Sequence, residues 1–272
     1  MQYKLVALDL DDTLLLDDQN IEPQAKKKIV ALKNNTDVEF ILATGRAYKA
    51  AQSYAEELAL TNPLICHNGA YIKEPAGQML EHKPVSYDLA QEILVYCAEH
   101  ALEVCVYLED ELYFRRRNQL TSYYEEITGI EAQVTSYPLV EAIKKPPTKL
   151  LILEDDEQRK DYYQQELTSR YQKRLTIMTS KPEFIEISSG QVDKSVALKD
   201  FCLKRNIAAE EVVAIGNGYN DLGMIKWAGL GVAVKNAPVS IREAADKVTE
   251  SNLEGGVAKI LQELFLSSAA AN

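Results

Sequence analysis

The feature that most constrains the fold is a recurring pair: a short apolar run that stops at polar or turn-forming residues, and then a stretch with helical periodicity. The runs, rich in Val, Ile and Leu, occupy residues 4–8, 38–43, 212–215 and 230–234. A strand buried on both faces reads as such a continuous run, because its alternate side chains all meet helices. Helical patterns lie at 23–34, 46–60, 194–206 and 221–228. Strands alternating with helices through right-handed crossovers give an α/β fold: a three-layer, Rossmann-like core with a mostly parallel sheet. The 272 residues are enough for such a core and a second unit. A net charge of −11 argues against nucleic acid or an anionic membrane as the main partner.

The middle of the chain has a different texture. Strands are expected at 103–108 and 149–153 and helices at 88–100 and 156–173. Ten of the fifteen tyrosines fall between residues 84 and 185, and Pro84 and Pro182 stand near the two ends, where linkers are expected. An inserted α/β domain over 84–185 therefore divides a discontinuous core made of 1–83 and 186–272. Cys66, Cys97, Cys105 and Cys202 have neither disulfide nor zinc spacing and are expected to be reduced and buried. The amino terminus is too charged for a signal peptide or membrane span, which places the protein in the cytoplasm. Residues 267–272 read as a fraying tail.

Four motifs lie where the expected strands end, which is where open α/β sheets bind ligands. In Asp9-Leu10-Asp11-Asp12-Thr13, Asp9 and Asp11 face one side of an extended chain. One carboxylate can attack phosphorus while the other handles protons; alone, the segment reads equally as an acidic turn. Thr44-Gly45-Arg46 offers a hydroxyl and free N–H groups for a phosphate, or an ordinary helix cap with Thr44 as the N-cap. Lys194 falls in the first turn of a helix, where the macrodipole disfavours a cation; it either neutralises an anionic ligand or pairs with Asp193. In Gly216-Asn217-Gly218-Tyr219-Asn220-Asp221, Asn217 and Asp221 bring hard oxygen donors suited to Mg²⁺, unless Asn220 or Asp221 merely caps the next helix.

Taken together and in this order, the four motifs resemble the haloacid dehalogenase (HAD) superfamily, specifically its Cof-like branch of sugar-phosphate phosphatases with an inserted α/β cap. His67-Asn68-Gly69-Ala70, Leu222-Gly223-Met224-Ile225 and residues 252–258 support the resemblance. It implies that Asp9 is the nucleophile and Asp11 the general acid and base. Thr44, Gly45, Arg46, Lys194 and Asn220 would bind phosphate. Mg²⁺ would be held by Asp9, the Asp11 backbone carbonyl, Asn217 and Asp221. Members of the superfamily usually carry Asp where this chain has Asn217, so weaker Mg²⁺ binding is expected.

The expected function is Mg²⁺-dependent hydrolysis of small phosphorylated metabolites, with sugar phosphates foremost. The alternatives are a phosphomutase and a non-catalytic phosphometabolite-binding regulator. No protein partner is evident. Arg115, Arg116 and Arg117 read as a solvated strand end, the tyrosines as packing, and Trp227 as core. His67, His82 and His100 form no spaced cluster.

Overall fold

The computed structural model describes residues 3–266 apart from the Ser180 and Leu266 side chains. Residues 267–272, read above as a tail, lie outside the described residues. The chain forms two compact units: Met1–Gly45, Ala51–Leu80 and Asp193–Asn272 make the first, and Arg46–Ala50 with Glu81–Val192 the second.

The first unit is built on a five-stranded sheet in the order Lys247–Val248, Leu230–Ala233, Val212–Gly216, Leu5–Leu8, Glu39–Leu42, with every pairing parallel. Leu5 pairs with Val212 on one side and Glu39 on the other, so the central strand lies between two others along its whole length. Its side chains alternate between two buried layers. Leu5 and Ala7 join Ile41, Val212 and Ala214 against Leu198, Cys202 and Met224; these come from the helices Lys194–Lys204 and Leu222–Trp227. Val6 and Leu8, with Phe40, Val213 and Ile215, are equally buried on the other face. There the helix Pro23–Asn35 packs against Gly256–Leu261 and the strand Glu39–Leu42. Burial on both faces is why the strands read as unbroken apolar runs.

Parallel strands put all their carboxyl ends on one edge. Asp9, Thr44 and Asn217 follow within two residues of the strands Leu5–Leu8, Glu39–Leu42 and Val212–Gly216, so the first, second and fourth motifs share that edge. A bridge between Ala43 and Ile65 leads to a small sheet of Leu64–Cys66, Tyr71–Lys73 and Met79–His82. All four cysteines are free and buried. No helix among the described residues is long and apolar enough to cross a membrane.

The second unit carries a six-stranded sheet in the order Leu175–Lys181, Phe184–Ser189, Lys149–Leu153, Glu103–Leu108, Glu111–Phe114, Gln133–Val134. It is antiparallel apart from the last pair. Val104, Val106, Leu150 and Ile152 pack against Ile93, Leu94 and Leu167, from the helices Tyr87–Glu99 and Glu157–Tyr171. Cys105, Tyr107 and Leu151 face the opposite way and pack with Tyr124 of the helix Gln119–Thr128. The chain is thus an α/β protein with a mostly parallel core sheet and an inserted α/β unit.

Several sequence expectations need correction. Pro182 is not in a linker; it sits in the tight turn between the paired strands Leu175–Lys181 and Phe184–Ser189. The second of those strands lies whole in the second unit, which extends to Val192, so 186 is not a dividing point. The helix expected from residue 46 begins at Tyr48, so Thr44 is not its N-cap. The arginine run, by contrast, is the solvated strand end that was expected: it follows the strand Glu111–Phe114 and is exposed, with Arg115 donating to the Thr135 carbonyl at 3.0 Å, Arg116 paired with Glu103 and Arg117 forked onto Glu125.

Candidate active site

Asp9 is the first residue beyond the central strand, and its backbone N–H still donates to the Ile215 carbonyl at 3.0 Å. That bond carries the sheet ladder one residue further and fixes the carboxylate at the mouth of the sheet. Asp9 is nearly inaccessible, at 4% exposure. Its Oδ1 accepts from Lys194 Nζ at 2.7 Å, and the same Nζ donates to Asp221 Oδ1 at 2.6 Å. Lys194 and Asp221 are both fully buried.

This arrangement excludes one of the two sequence readings of Lys194. Lys194 does not pair with Asp193. The Asp193 Oδ1 instead accepts from the Ser195 and Val196 N–H groups and caps the helix Lys194–Lys204. An aspartate N-cap offsets part of the cost of a cation in the first turn, and two buried carboxylates supply the rest. Burial alone would pull the Lys194 pKa down, but Asp221 and Asp9 outweigh it and raise the pKa above the ordinary lysine range, keeping the ammonium charged.

Asp221 was one candidate cap for the helix Leu222–Trp227, yet its side chain makes no capping bond. Its Oδ2 accepts from the Asn217 and Gly218 N–H groups at 3.0 and 2.8 Å, so the carboxylate organises its own loop. With Lys194 on Oδ1, three of about four acceptor positions on this carboxylate are filled. Gly216 permits the fold-back: a Cβ there would stand 2.6 Å from the Asp221 side chain. Asn217 receives a hydrogen bond on Oδ1 from Thr13 Oγ1 at 3.2 Å.

On the other side of the site, the Thr44 N–H donates to Ile65 and the Thr44 carbonyl accepts from the Asn68 N–H. His67, Asn68 and Gly69 all have positive φ, at 48°, 57° and 100°. Gly69 is required there, since a Cβ would lie 2.7 Å from the Asp193 carbonyl oxygen. The turn presents the Asn68 Oδ1 to Asn220 Nδ2 at 2.9 Å and leaves it 3.2 Å from the Cβ that Gly45 lacks. Asn68 thereby ties the second motif to the fourth. The sequence reading placed it in a supporting stretch but not in the site; its αL-tolerant Asn beside Gly was the available signal.

Asn252 and Asn236 explain a further supporting stretch. Asn252 donates to the Leu15 carbonyl, and Asn236 donates to the Asp12 carbonyl at 2.7 Å, so two side chains pin the loop behind Asp11. Asp11 is half-buried. Arg46 begins the segment Arg46–Ala50 that groups with the second unit.

These contacts concentrate negative charge. The Asp9 carboxyl is pushed from its ordinary 3.8 up to about 7, first by burial, then by Asp221, against the pull of Lys194, with Asp11 adding to the rise. A carboxyl whose pKa is higher in the folded state favours folding when protonated. That contribution is full below about pH 4 and is lost as pH climbs through about 7. Asp9→Asn, which cannot ionise, is therefore expected to melt higher than the native protein at about pH 8 in a chelating buffer, with the gain fading by about pH 5. Parallel melting curves at the two pH values check this; a gain independent of pH would contradict it.

A profile of the haloacid dehalogenase-like hydrolases matches residues 6–261. The chain belongs to that family. It is a phosphatase hydrolase of the Cof-like branch. It is 30% identical over 266 residues to a Bacillus subtilis phosphatase, YcsE, named for 5-amino-6-(5-phospho-D-ribitylamino)uracil; the match covers 98% of this chain and 97% of the relative. Among solved structures, a haloacid dehalogenase-like hydrolase from Bacteroides thetaiotaomicron superposes with a TM-score of 0.89 at 28% identity, covering 97% of this phosphatase and all of that chain. The Thermotoga maritima protein TM0651 gives 0.87 at 29% identity, covering 96% and 97%.

The role of Asn68 is open to direct measurement. Asn68→Gly keeps the left-handed turn and removes the amide that holds Asn220. We expect kcat/KM to fall roughly tenfold, carried by KM, since about one hydrogen bond to Asn220, the side chain expected to bind phosphate, is lost. Steady-state kinetics beside a melting curve separates this from unfolding; an unchanged KM would remove Asn68 from the site.

Proposed function

We propose that this phosphatase hydrolyses small phosphorylated metabolites, sugar phosphates in particular, in a Mg²⁺-dependent reaction through a phosphoryl group carried on Asp9. The observation that supports this most is the buried Asp9–Lys194–Asp221 array at the carboxyl edge of the sheet. A carboxylate so enclosed is costly unless its environment serves a reaction.

Lys194 holds one oxygen of Asp9, and the other attacks phosphorus. As the Asp9–phosphorus bond forms, the ester bond to the leaving oxygen breaks, and Asp11 gives that oxygen a proton. Asp11, now ionised, takes a proton from water, whose oxygen attacks the same phosphorus and releases phosphate from Asp9. Thr44, Gly45, Arg46, Lys194 and Asn220 bind the phosphoryl oxygens.

The donor set fits a hard divalent cation. It consists only of oxygens, and while burial is the main cause of the raised Asp9 pKa, Asp221 and Asp11 add to it, so three carboxylates gather beside one lysine. Asp9, the Asp11 carbonyl and Asn217 are the donors that would hold Mg²⁺. Asp221 has one acceptor position left, and mainly secures Lys194 and the loop. When bound, the ion supplies charge neutralisation for the phosphoryl oxygens.

Selection of the leaving group is assigned to residues outside this array. The Cof-like branch, together with relatives such as YcsE, supports this substrate class. The test is release of inorganic phosphate by purified protein, from an aryl phosphate and then from a panel of sugar, sugar-alcohol and cofactor phosphates, with and without Mg²⁺. Sugar phosphates are expected to lead the panel and chelator to stop release. Isomer formation without free phosphate would favour the mutase; ligand binding without release from any member would favour the regulator.

A further inference from the structure

We propose that Thr13 is a positioning residue that fixes which end of the Asn217 amide faces a divalent cation. The inference rests on the reading of Asn217 as a metal donor and deepens it. An amide presents an oxygen at one end and an NH₂ at the other, nearly equal in size, and a half-turn about its terminal torsion exchanges them. Only the oxygen can ligate Mg²⁺; the NH₂ end would set two partial positive charges against the ion. A carboxylate at the same position has no wrong end. An asparagine donor therefore needs something that a carboxylate donor does not, namely a neighbour that keeps its oxygen in place.

Thr13 meets that need. Its hydroxyl donates to Asn217 Oδ1 at 3.2 Å across 204 positions of sequence, and Thr13 is 1% exposed, so the donor cannot swing away into water. The Asn217 backbone is held independently, because its N–H donates to Asp221 Oδ2. With the backbone held, the side-chain torsions are the freedom left, and the bond from the Thr13 hydroxyl restrains them with the oxygen in place. Oδ1 retains a second lone pair for the ion. Partners that orient a metal ligand in this way typically account for about tenfold to a hundredfold in metal affinity.

The test is Mg²⁺ binding alone, without substrate, by titration calorimetry and by the Mg²⁺-induced rise in melting temperature. Thr13→Val removes the donor while keeping the shape, and is expected to weaken Mg²⁺ binding roughly tenfold. Thr13→Ser restores the hydroxyl and should bind within about twofold of the native protein. Asn217→Asp is expected to bind more tightly. In that background Thr13→Val should cost less than about twofold, because either carboxylate oxygen serves. Equal losses from Thr13→Val in both backgrounds would overturn the proposal and leave Thr13 a packing residue. Asn217→Ala separates this failure from failure of the underlying reading. If it weakens Mg²⁺ binding while Thr13→Val does not, Asn217 is a donor that Thr13 does not orient. If neither Asn217→Ala nor Asn217→Asp alters Mg²⁺ affinity, Asn217 is not a donor and the orientation proposal falls with it.

Discussion

Asp9→Asn is expected to lose at least about four orders of magnitude in phosphate release, because the residue proposed to form the covalent bond to phosphorus is gone while the groups around it remain. The substitution keeps the size of the side chain and an oxygen that can still accept from Lys194 at the 2.7 Å position. The fold should therefore survive, and the raised Asp9 pKa implies that the variant melts higher than the native protein above neutral pH. An inactive but more stable protein is a demanding pair of outcomes. Loss of activity through unfolding would give the opposite melting shift, and a variant retaining even a hundredth of the native rate would assign the nucleophile elsewhere.

Lys194→Met is expected to produce the largest loss of stability among single substitutions in the site. Methionine fills much of the lysine volume, but Asp9 and Asp221 are left buried with no cation between them. Breaking a buried ion pair by removing one partner costs about 3–5 kcal/mol. For a domain of this size, that lowers the melting temperature by roughly 10 °C in metal-free buffer. The penalty depends on Asp9 being ionised, and the variant lacks the ammonium that holds the Asp9 pKa down, so the penalty should shrink as pH falls, beginning above the native value of about 7. Added Mg²⁺ should recover part of the loss, although phosphate release should stay low, since no ammonium then meets the phosphoryl group. Melting curves across pH, with chelator or Mg²⁺, read these effects separately. A variant as stable as the native protein at about pH 8 would mean that Asp9 and Asp221 are not held apart by Lys194 in solution.

How much of this was legible in the sequence depends on the physics of each element. The core strands were, because burial on both faces leaves no polar alternation to confuse the pattern: residues 5–8, 39–42, 212–216 and 230–233 lie within one or two positions of the apolar runs. In the second unit, Glu103–Leu108 and Lys149–Leu153 were readable for the same reason, as interior strands of the sheet. The strand Leu175–Lys181 was not. It is an edge strand of sequence LTIMTSK, whose four polar residues among seven leave little net hydrophobicity, and its partner follows a turn with a proline that mimics a linker.

The site was legible as residue types and not as bonds. Asp9, Lys194 and Asp221 stood out by their positions at strand and helix ends, but which acid Lys194 meets is fixed by contacts spanning 185 and 27 positions. Adjacent Asp193 was the sequence-local partner, and helix capping claims it instead. Thr13 and Asn68 were hidden for a related reason. Each works through a hydrogen bond to a loop more than 150 residues away, and neither residue type is unusual where it stands.

The central claim is that phosphorus passes through a covalent bond to Asp9, and the stereochemical course at phosphorus tests it most directly. An isotopically chiral phosphorothioate monoester, hydrolysed in isotopically labelled water, reports whether one in-line displacement or two have occurred. Two displacements, onto Asp9 and then onto water, give overall retention of configuration. Retention is the expected result; inversion would mean that water attacks the substrate directly and that Asp9 is not the nucleophile.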